Sequence, residues 1–448
     1  MRTTSLSSVP GFFYMRYDVS LETAHRILLN ASSPVEMGVV TIGDAYGRIL
    51  SRDVFSPINL PPFRKSAMDG YALRSFDIAK ASRKKPVRLR VIDQARAGYM
   101  PENGIRPGTA VNVMTGAVVP DGADVVVRSE DVDLCSEGII VNKAFCAGTY
   151  LVMPGEDVPM GESIARKGAL ITPPMVGLLA GLGLVQIPVY RKVVIALMST
   201  GDELIDPADP YRPGKIFNSS LYGILGRCQA AGAQPLHLGT VPDQVTRVAE
   251  KMSEGLEKAD IVITTGGTSN GLFDVTKDAM LLAGAEILFN GVAVKSGSPI
   301  FAGKRNGRFI ISLPGNPAGA MAAFDLIVMV LINNLRGLSH PFLPRIEAVM
   351  AGSYLRFSPV RRLLHARLFR QYGVDYVALA DHHSRCMVES IVDSNFFIDV
   401  PAGSRYIQAG ERVWGFPVGD LGRVYSDIAV QMVEKNAGLF HADYTSAQ

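Results

Sequence analysis

Residues 264–278 read TTGGTSNGLFDVTKD, directly after DIVI, a short apolar run of strand character. A chain that only reversed direction here would need neither the paired glycines and small hydroxyls nor the Asp274 and Lys277 beyond them. A strand that runs into a glycine-rich turn and then a helix is the βα junction of a parallel sheet, a place where backbone N–H groups can approach a phosphate. Gly266 and Gly267 permit that approach, and Thr268, Ser269 and Asn270 add neutral donors. Asp274 cannot bind an anion directly; it makes chemical sense if a divalent cation bridges it to phosphate oxygens. A single glycine-rich turn is more often only a tight turn, so its neighbours decide.

The neighbours repeat the pattern. KVVIALMSTGDEL is a buried strand ending in a polar turn, SSLYGILGRCQAAG a helix closed by Gly232, QPLHLGTV a strand and DQVTRVAEKMSEGLEK a helix. After DIVITTGG come a short helix, DAMLLAG, the strands ILFNGVAV and RFIISLPG, and a long apolar helix, PAGAMAAFDLIVMVLINNL. Strand and helix in strict alternation imply a parallel, three-layer α/β sheet. Ligands of such sheets bind outside the carboxyl ends of the strands. Three polar turns fall there: STGDEL (199–204), TGGTSNGLFD (265–274) and SLPGNPAGA (312–320). The last leads into a helix whose free N–H groups should face the same edge. Glu203 and Asp202 could equally be a solvated loop or a helix cap.

Elsewhere the texture differs. VSLETAHRILLNAS has helical spacing, with Ser20, Glu22 and Thr23 suited to its start. NLPPFRKSAMDGYAL (59–73) is a proline-led loop into a strand, and 86–155 is a series of short alternating strands. Residues 168–190 carry no charge and are long enough to span a bilayer, but Pro173, Pro174 and Pro188 interrupt them; we expect a short buried helix, a turn and a strand. HPFLPR is a linker, and short strands follow to about residue 425. The tail beyond Asn436 should be frayed.

The 448 residues suffice for three or four domains, and with 48% hydrophobic residues each can bury a core. A net charge of +3 with no basic tract interleaved with aromatics argues against a nucleic-acid binder. Four scattered cysteines with no CxxC fit a reducing cytoplasm rather than a disulfide scaffold. The N-terminus lacks the apolar run of a signal peptide. His365, His382 and His383 lack zinc-ligand spacing.

STGDEL, TGGTSNGLFDVTKD and LPGNPAGA, with SAMDGYAL (66–73), MTGAVVPDGADVVV (114–127) and GEDV (155–158) upstream, resemble the MoeA/gephyrin-E family. These are the molybdopterin molybdenumtransferases, which insert molybdate into adenylylated molybdopterin. The likeness runs in one order from about residue 18 to about residue 425. The α/β region alone also resembles the nicotinamide-nucleotide amidohydrolases, against which SAMDGYAL argues.

The resemblance implies a multidomain α/β plus β protein with an elongated subunit. Its parts would be a discontinuous linker-type domain (18–58 and 156–190), a β-rich domain (59–155), a MogA-like α/β domain (191–338) and a small C-terminal β domain (339–425). It also implies a cytoplasmic homodimer with its site between the α/β domain of one subunit and the SAMDGYAL domain of the other. Carried over by motif, Asp69, Thr115, Glu203, Asp274 and Lys295 would be catalytic. Gly266, Gly267, Thr268, Ser269, Ser298, Pro314, Gly315, Asn316 and Arg385 would line the cofactor site. Asp274, Glu203, Asp157 and Asp243 would hold Mg2+. The substrates would be molybdopterin-AMP and molybdate; a molybdopterin adenylyltransferase and apo-molybdoenzymes would be protein contacts. Asp69 and Thr115 could bind the pterin or position molybdate, or be a turn carboxylate and a strand-end hydroxyl. A carrier or sensor that binds the cofactor without turnover, and a tungstate-specific transferase, are the alternatives.

Two departures bear on the pocket. The family usually reads KPGKP where this chain reads KSGSP (295–299), so a second lysine becomes Ser298. In the last domain Arg385 stands where a family serine falls, and RRLLHARL (361–368) lacks the usual acid. Arg385 would restore the missing positive charge, or the anion site has changed its ligand.

Overall fold

The computed structural model describes residues 17–267, 275–295, 299–380, 389–404 and 406–419. Asp274, Thr268, Ser269, Ser298, Arg385, His382 and His383 lie outside the described residues. The chain divides into two compact units: Met1–Gly38 with Gly47–Ile49 and Tyr190–Gln448, and Val39–Tyr46 with Leu50–Val189.

The first unit holds the α/β sheet. Its strands lie in the order Tyr17–Val19, Glu286–Val292, Phe301–Arg305, Arg308–Leu313, Ile261–Thr265, Val194–Thr200 and Gln234–Val241. The last four are mutually parallel. Alternate residues face opposite helix layers, as a two-residue period requires. Ile195, Leu197, Ile261, Ile263, Phe309 and Ile311 pack on the side of helices Ser219–Ala230 and Leu21–Ala31. Ala196, Met198, Val262 and Ile310 pack on the side of Val245–Lys258 and Val275–Leu282. Ser20 caps the Leu21–Ala31 helix by accepting from Thr23 N at 3.1 Å, as its sequence suggests.

The sheet is not wholly parallel. Phe301–Arg305 runs antiparallel between Glu286–Val292 and Arg308–Leu313. It pairs with Arg308–Leu313 through a two-residue Asn306–Gly307 turn with φ of 50° and 81°. An Asn-Gly pair is the preferred loop of a tight hairpin because both central residues need positive φ, so this strand was legible and overlooked. The long helix runs from Pro317 to Leu335 with a π-turn at Phe324–Val328. Among the described residues it is the one helix long and apolar enough to cross a membrane, and most of it is buried in the fold.

A closed barrel follows in the same unit, with neighbours Ile346–Met350, Val374–Leu379, Arg362–Gln371, Phe396–Val400 and Arg412–Pro417. Met350, Leu364, Ala366, Leu368, Val377 and Ile398 fill it.

The second unit is built on a six-stranded sheet ordered Val125–Arg128, Gly70–Leu73, Thr109–Val113, Val87–Ala95, Gly138–Val141 and Val132–Cys135. Each face is covered by its own apolar cluster. The helix expected at the proline pair is Pro173–Gly181, but it is not a buried helix: Leu179 is its single buried residue. Nine apolar and glycine residues without a polar face cannot all be covered by the small cluster beneath them.

Candidate functional site

The first and third parallel strands, Val194–Thr200 and Ile261–Thr265, are neighbours, and the second, Gln234–Val241, lies on the far side of the first. The chain therefore reverses its direction of winding between Val194–Thr200 and Ile261–Thr265, and a crevice opens there at the carboxyl edge. STGDEL and TTGG are the two turns that flank it.

Backbone contacts draw three turns together. Gly266 has φ of 91°, and a Cβ on it would lie 2.3 Å from Thr200 O. No side chain fits that position. Gly266 N donates to Leu313 O at 3.3 Å, and a Cβ on Gly315 would meet Gly266 Cα at 3.3 Å. Gly267, with φ of 65°, accepts from the Thr276 hydroxyl at 3.1 Å. Beneath the edge runs a buried hydroxyl ladder: Ser199 Oγ to Thr265 Oγ1 at 2.6 Å and Thr264 Oγ1 to Ser312 Oγ at 2.7 Å. Such a ladder satisfies the polar atoms that strand ends bring into the core and keeps the turns above in register.

The acidic positions flank Thr200. Its hydroxyl donates to Asp243 Oδ1 at 2.6 Å, and the Glu203 carboxylate folds over Gly201, where a Cβ would meet Oε2 at 2.7 Å. Asp243 stands two residues beyond the end of Gln234–Val241 on the same edge. Lys295 joins them because the two antiparallel pairings restore the direction of Glu286–Val292, whose end it follows. Lys295 is exposed, and its N–H donates to Arg361 O at 3.0 Å. Pro314 is buried while Gly315 and Asn316 are exposed.

One expectation needs correction. The helix at Pro317 does not present a bare N-terminus, because Asn316 Oδ1 accepts from Ala318 N at 3.0 Å and Gly319 N at 3.3 Å. A capping side chain takes the donors that an anion would otherwise use.

Two residues of this edge were missed from the sequence. Asn218 caps the Ser219–Ala230 helix, accepting from Leu221 N at 3.2 Å, and donates to Thr240 Oγ1 at 3.1 Å. Ser220 Oγ donates to Gly315 O at 3.0 Å. The Asn-Ser-Ser run before a helical pattern was the available signal, a capping residue at the right place.

The second unit carries Asp69 and Thr115. Gly70 pairs with Val113 across antiparallel strands, so the residues just outside that pair meet at one sheet end. Thr115 donates to Asp69 Oδ1 twice, from its backbone N–H at 2.6 Å and its hydroxyl at 2.9 Å. The backbone donor first, then the hydroxyl, hold the exposed Asp69 carboxyl below the usual range. Asp157 is exposed in the GEDV turn, its N–H donating to Leu60 O at 3.0 Å. The chain thus places Glu203, Asp243, Gly266, Gly267, Pro314–Asn316 and Lys295 on one edge of one unit, and Asp69, Thr115 and Asp157 on the other unit.

Glu203 and Asp243 are hard oxygen donors of the kind Mg2+ accepts, and Mg2+ is commonly held by one or two carboxylates together with substrate phosphates. Among the described residues no three His, Cys, Asp or Glu side chains cluster to hold a metal alone. Two carboxylates on one edge fit a cation that completes its coordination with a bound anion. His365 is half-buried on the barrel strand Arg362–Gln371.

Fold and site together define a protein with a glycine-lined edge at the switch point of an α/β sheet, joined to a β-rich unit with its own carboxylate–hydroxyl pair. Comparison with known proteins agrees. The MoeA N-terminal region (domain I and II) matches residues 19–183, and a probable molybdopterin binding domain matches residues 196–334. The molybdopterin molybdenumtransferase of Bacillus subtilis is 33% identical over 402 residues, covering 89% of this chain and 94% of the relative. Molybdopterin molybdenumtransferase 2 of Mycobacterium tuberculosis is 33% identical over 396 residues, covering 86% and 96%. The crystal structure of a molybdopterin biosynthesis MoeA protein from Pyrococcus horikoshii superposes with a TM-score of 0.76 at 28% identity, covering 89% of this chain and 99% of that one. The chain belongs to the MoeA family of molybdopterin molybdenumtransferases.

Proposed function

We propose that this protein is a molybdopterin molybdenumtransferase of molybdenum cofactor biosynthesis, inserting molybdate into adenylylated molybdopterin with release of AMP. The observation that carries this is the convergence of three turns on Gly266, where only a glycine lets the backbones pack so closely. The substrate has a phosphoanhydride and a dithiolene; the second substrate is the molybdate dianion. The backbone N–H of Gly267 and the Lys295 ammonium bind the phosphates and offset the charge that develops when the anhydride breaks. Glu203 and Asp243 would hold Mg2+ against the same phosphates, where it would supply further charge neutralisation. Asp274 belongs with them by its place in the motif. Asp69, fixed by Thr115, is a ready acceptor for a pterin N–H or a support for molybdate.

The finer parts of the reading are a homodimer, a reducing cytoplasm and a four-domain division at the boundaries given above. Exposed apolar residues on the second unit support the dimer. Val39 is 61% exposed, Leu170 44% and Val185 60%, and Gly177, Ala180 and Gly181 are exposed on the Pro173–Gly181 helix. Apolar residues exposed in such number mark surfaces that a partner covers. Cys135, Cys146 and Cys228 are free thiols, which fits a reducing compartment.

AMP release from adenylylated molybdopterin, measured with and without molybdate, tests the activity. Molybdate-dependent release is expected. Tight pterin binding without release under any magnesium concentration would make the protein a carrier or sensor instead, and preference for tungstate in the same assay would change the metal assignment.

A further inference from the structure

Two helices of the α/β unit begin at the strand edge. Ser219–Ala230 follows Asn218, whose side chain donates to Thr240 Oγ1 at 3.1 Å and accepts from Ser199 Oγ at 3.3 Å. The helix from Pro317 to Leu335 follows the Pro314–Asn316 turn. On the first helix Ser220, Gly223 and Arg227 recur at helical spacing, which puts them on one face. That face meets the second helix and the turn before it.

Each of the three makes its contact at its own level. Nearest the strand edge, Ser220 Oγ donates to Gly315 O at 3.0 Å. One turn on, a Cβ on Gly223 would lie 3.2 Å from Met321 Sδ, so the glycine is what lets the helices come close. At the far level Arg227 Nη2 lies 2.9 Å from Asp325 Oδ2, with the Asp325 side chain 6% exposed. Neither Arg227 Nε nor Asp325 Oδ2 has a hydrogen-bond partner among the described residues, so this contact is an ion pair without an aligned hydrogen bond. Asp325 lies in the π-turn Phe324–Val328, where the helix takes in an extra residue. A buried ion pair adds little stability over apolar residues of the same volume; its best-attested use is to fix register. Register matters here. A slip of one helix along the other would take Gly315 away from Ser220 and from Gly266, whose Cα a Cβ on Gly315 would meet at 3.3 Å.

We propose that Arg227, Asp325 and Ser220 are positioning residues: the buried ion pair fixes the register of the two helices and Ser220 passes it to Gly315, so that the Pro314–Asn316 turn stays closed on Gly266. This rests on the strand-edge reading of the site. The pair acts on placement from beneath the edge, and small displacements of binding groups are costly.

Two variants separate register from packing. Arg227→Met combined with Asp325→Leu fills the same space without charge, and Arg227→Lys keeps the ion pair. Burial pushes the Asp325 carboxyl up to about 7 against the pull of Arg227, so the assays are run at about pH 8, where it is ionised. With AMP release as readout, the doubly apolar variant should raise KM for adenylylated molybdopterin about tenfold with kcat within about twofold. Its melting temperature should stay within a few degrees of wild type. Arg227→Lys should stay near wild type in both. Amide exchange across 315–320 should quicken in the apolar variant and not in Arg227→Lys; it reads the register without turnover. Wild-type protein that releases no AMP refutes the site reading, while the exchange result still judges the register. Unchanged KM and unchanged exchange in the apolar variant, or equal damage from Arg227→Lys, overturns the proposal. Should the apolar variant not fold, Asp325→Asn carries the test, since it keeps the shape and loses the charge; the same KM rise with faster exchange supports the proposal, and no change in either overturns it.

Discussion

The strand edge of the α/β unit and the Asp69–Thr115 corner of the six-stranded sheet are made in different ways. At the edge, main chain meets main chain: Gly266 sits against Thr200 O, and Gly315 against Gly266. At the corner, an exposed carboxylate is held by one residue's N–H and hydroxyl. A site built from packed backbone cannot be altered without altering the fold, whereas a side-chain pair on the surface can be removed at little cost to stability. The two regions should therefore answer mutation differently.

Gly266→Ala should have the largest effect. A methyl 2.3 Å from a carbonyl oxygen, at φ of 91°, forces the two turns apart. We expect a stability loss of ~3 kcal/mol or more and no measurable AMP release. A melting temperature equal to wild type would show that the turns are not packed as described.

Glu203→Gln removes charge at the edge without removing bulk. It should lower AMP release by ~10²–10³ while leaving the melting temperature within a few degrees, as expected for an exposed group acting electrostatically. If raising magnesium concentration leaves the wild type and variant equally unaffected, the cation belongs to other residues.

Asp69→Asn keeps an acceptor for Thr115 and removes the charge. About a tenfold loss of turnover with no stability change would place the corner in the chemistry. The same corner tests the dimer. Mixing Asp69→Ala and Glu203→Ala chains, with exchange verified, should restore up to about a quarter of wild-type activity if each site draws on two subunits. No recovery would confine each site to one subunit.

The smallest effect on activity, and the most specific on stability, concerns pH. His365 is lowered in the folded protein from 6.5 to about 4. Between those values the unfolded chain binds the proton and the folded one does not. Stability is therefore fully present above the unfolded value and declines as pH falls from 6.5 towards 4, by up to ~3 kcal/mol. In His365→Phe the decline over that window should flatten. Chemical denaturation at several pH values measures it, and an undiminished decline would assign it to other groups.

Much of the α/β unit was legible because its signals are local. Alternating apolar strands and glycine-rich turns occupy single segments, so STGDEL, TTGG and LPGN could be placed at strand ends before any contact was known. The Asn306–Gly307 hairpin was equally local, and it escaped because an alternating strand–helix reading left no place for an antiparallel strand. The bare helix N-terminus failed for a different reason. Whether the side chain of Asn316 caps its own helix or turns outward depends on a rotamer, which a motif does not specify.

Residue types at short range were enough for the parallel strands and their helices, the three polar turns and the family. What needed the tertiary structure is that the turns close on Thr200, that Asp69 is held by Thr115, and that Lys295 N–H donates to Arg361 O of the barrel. Each of those contacts joins residues tens of positions apart. Their geometry follows from strand register and packing, which no short stretch of chain encodes alone.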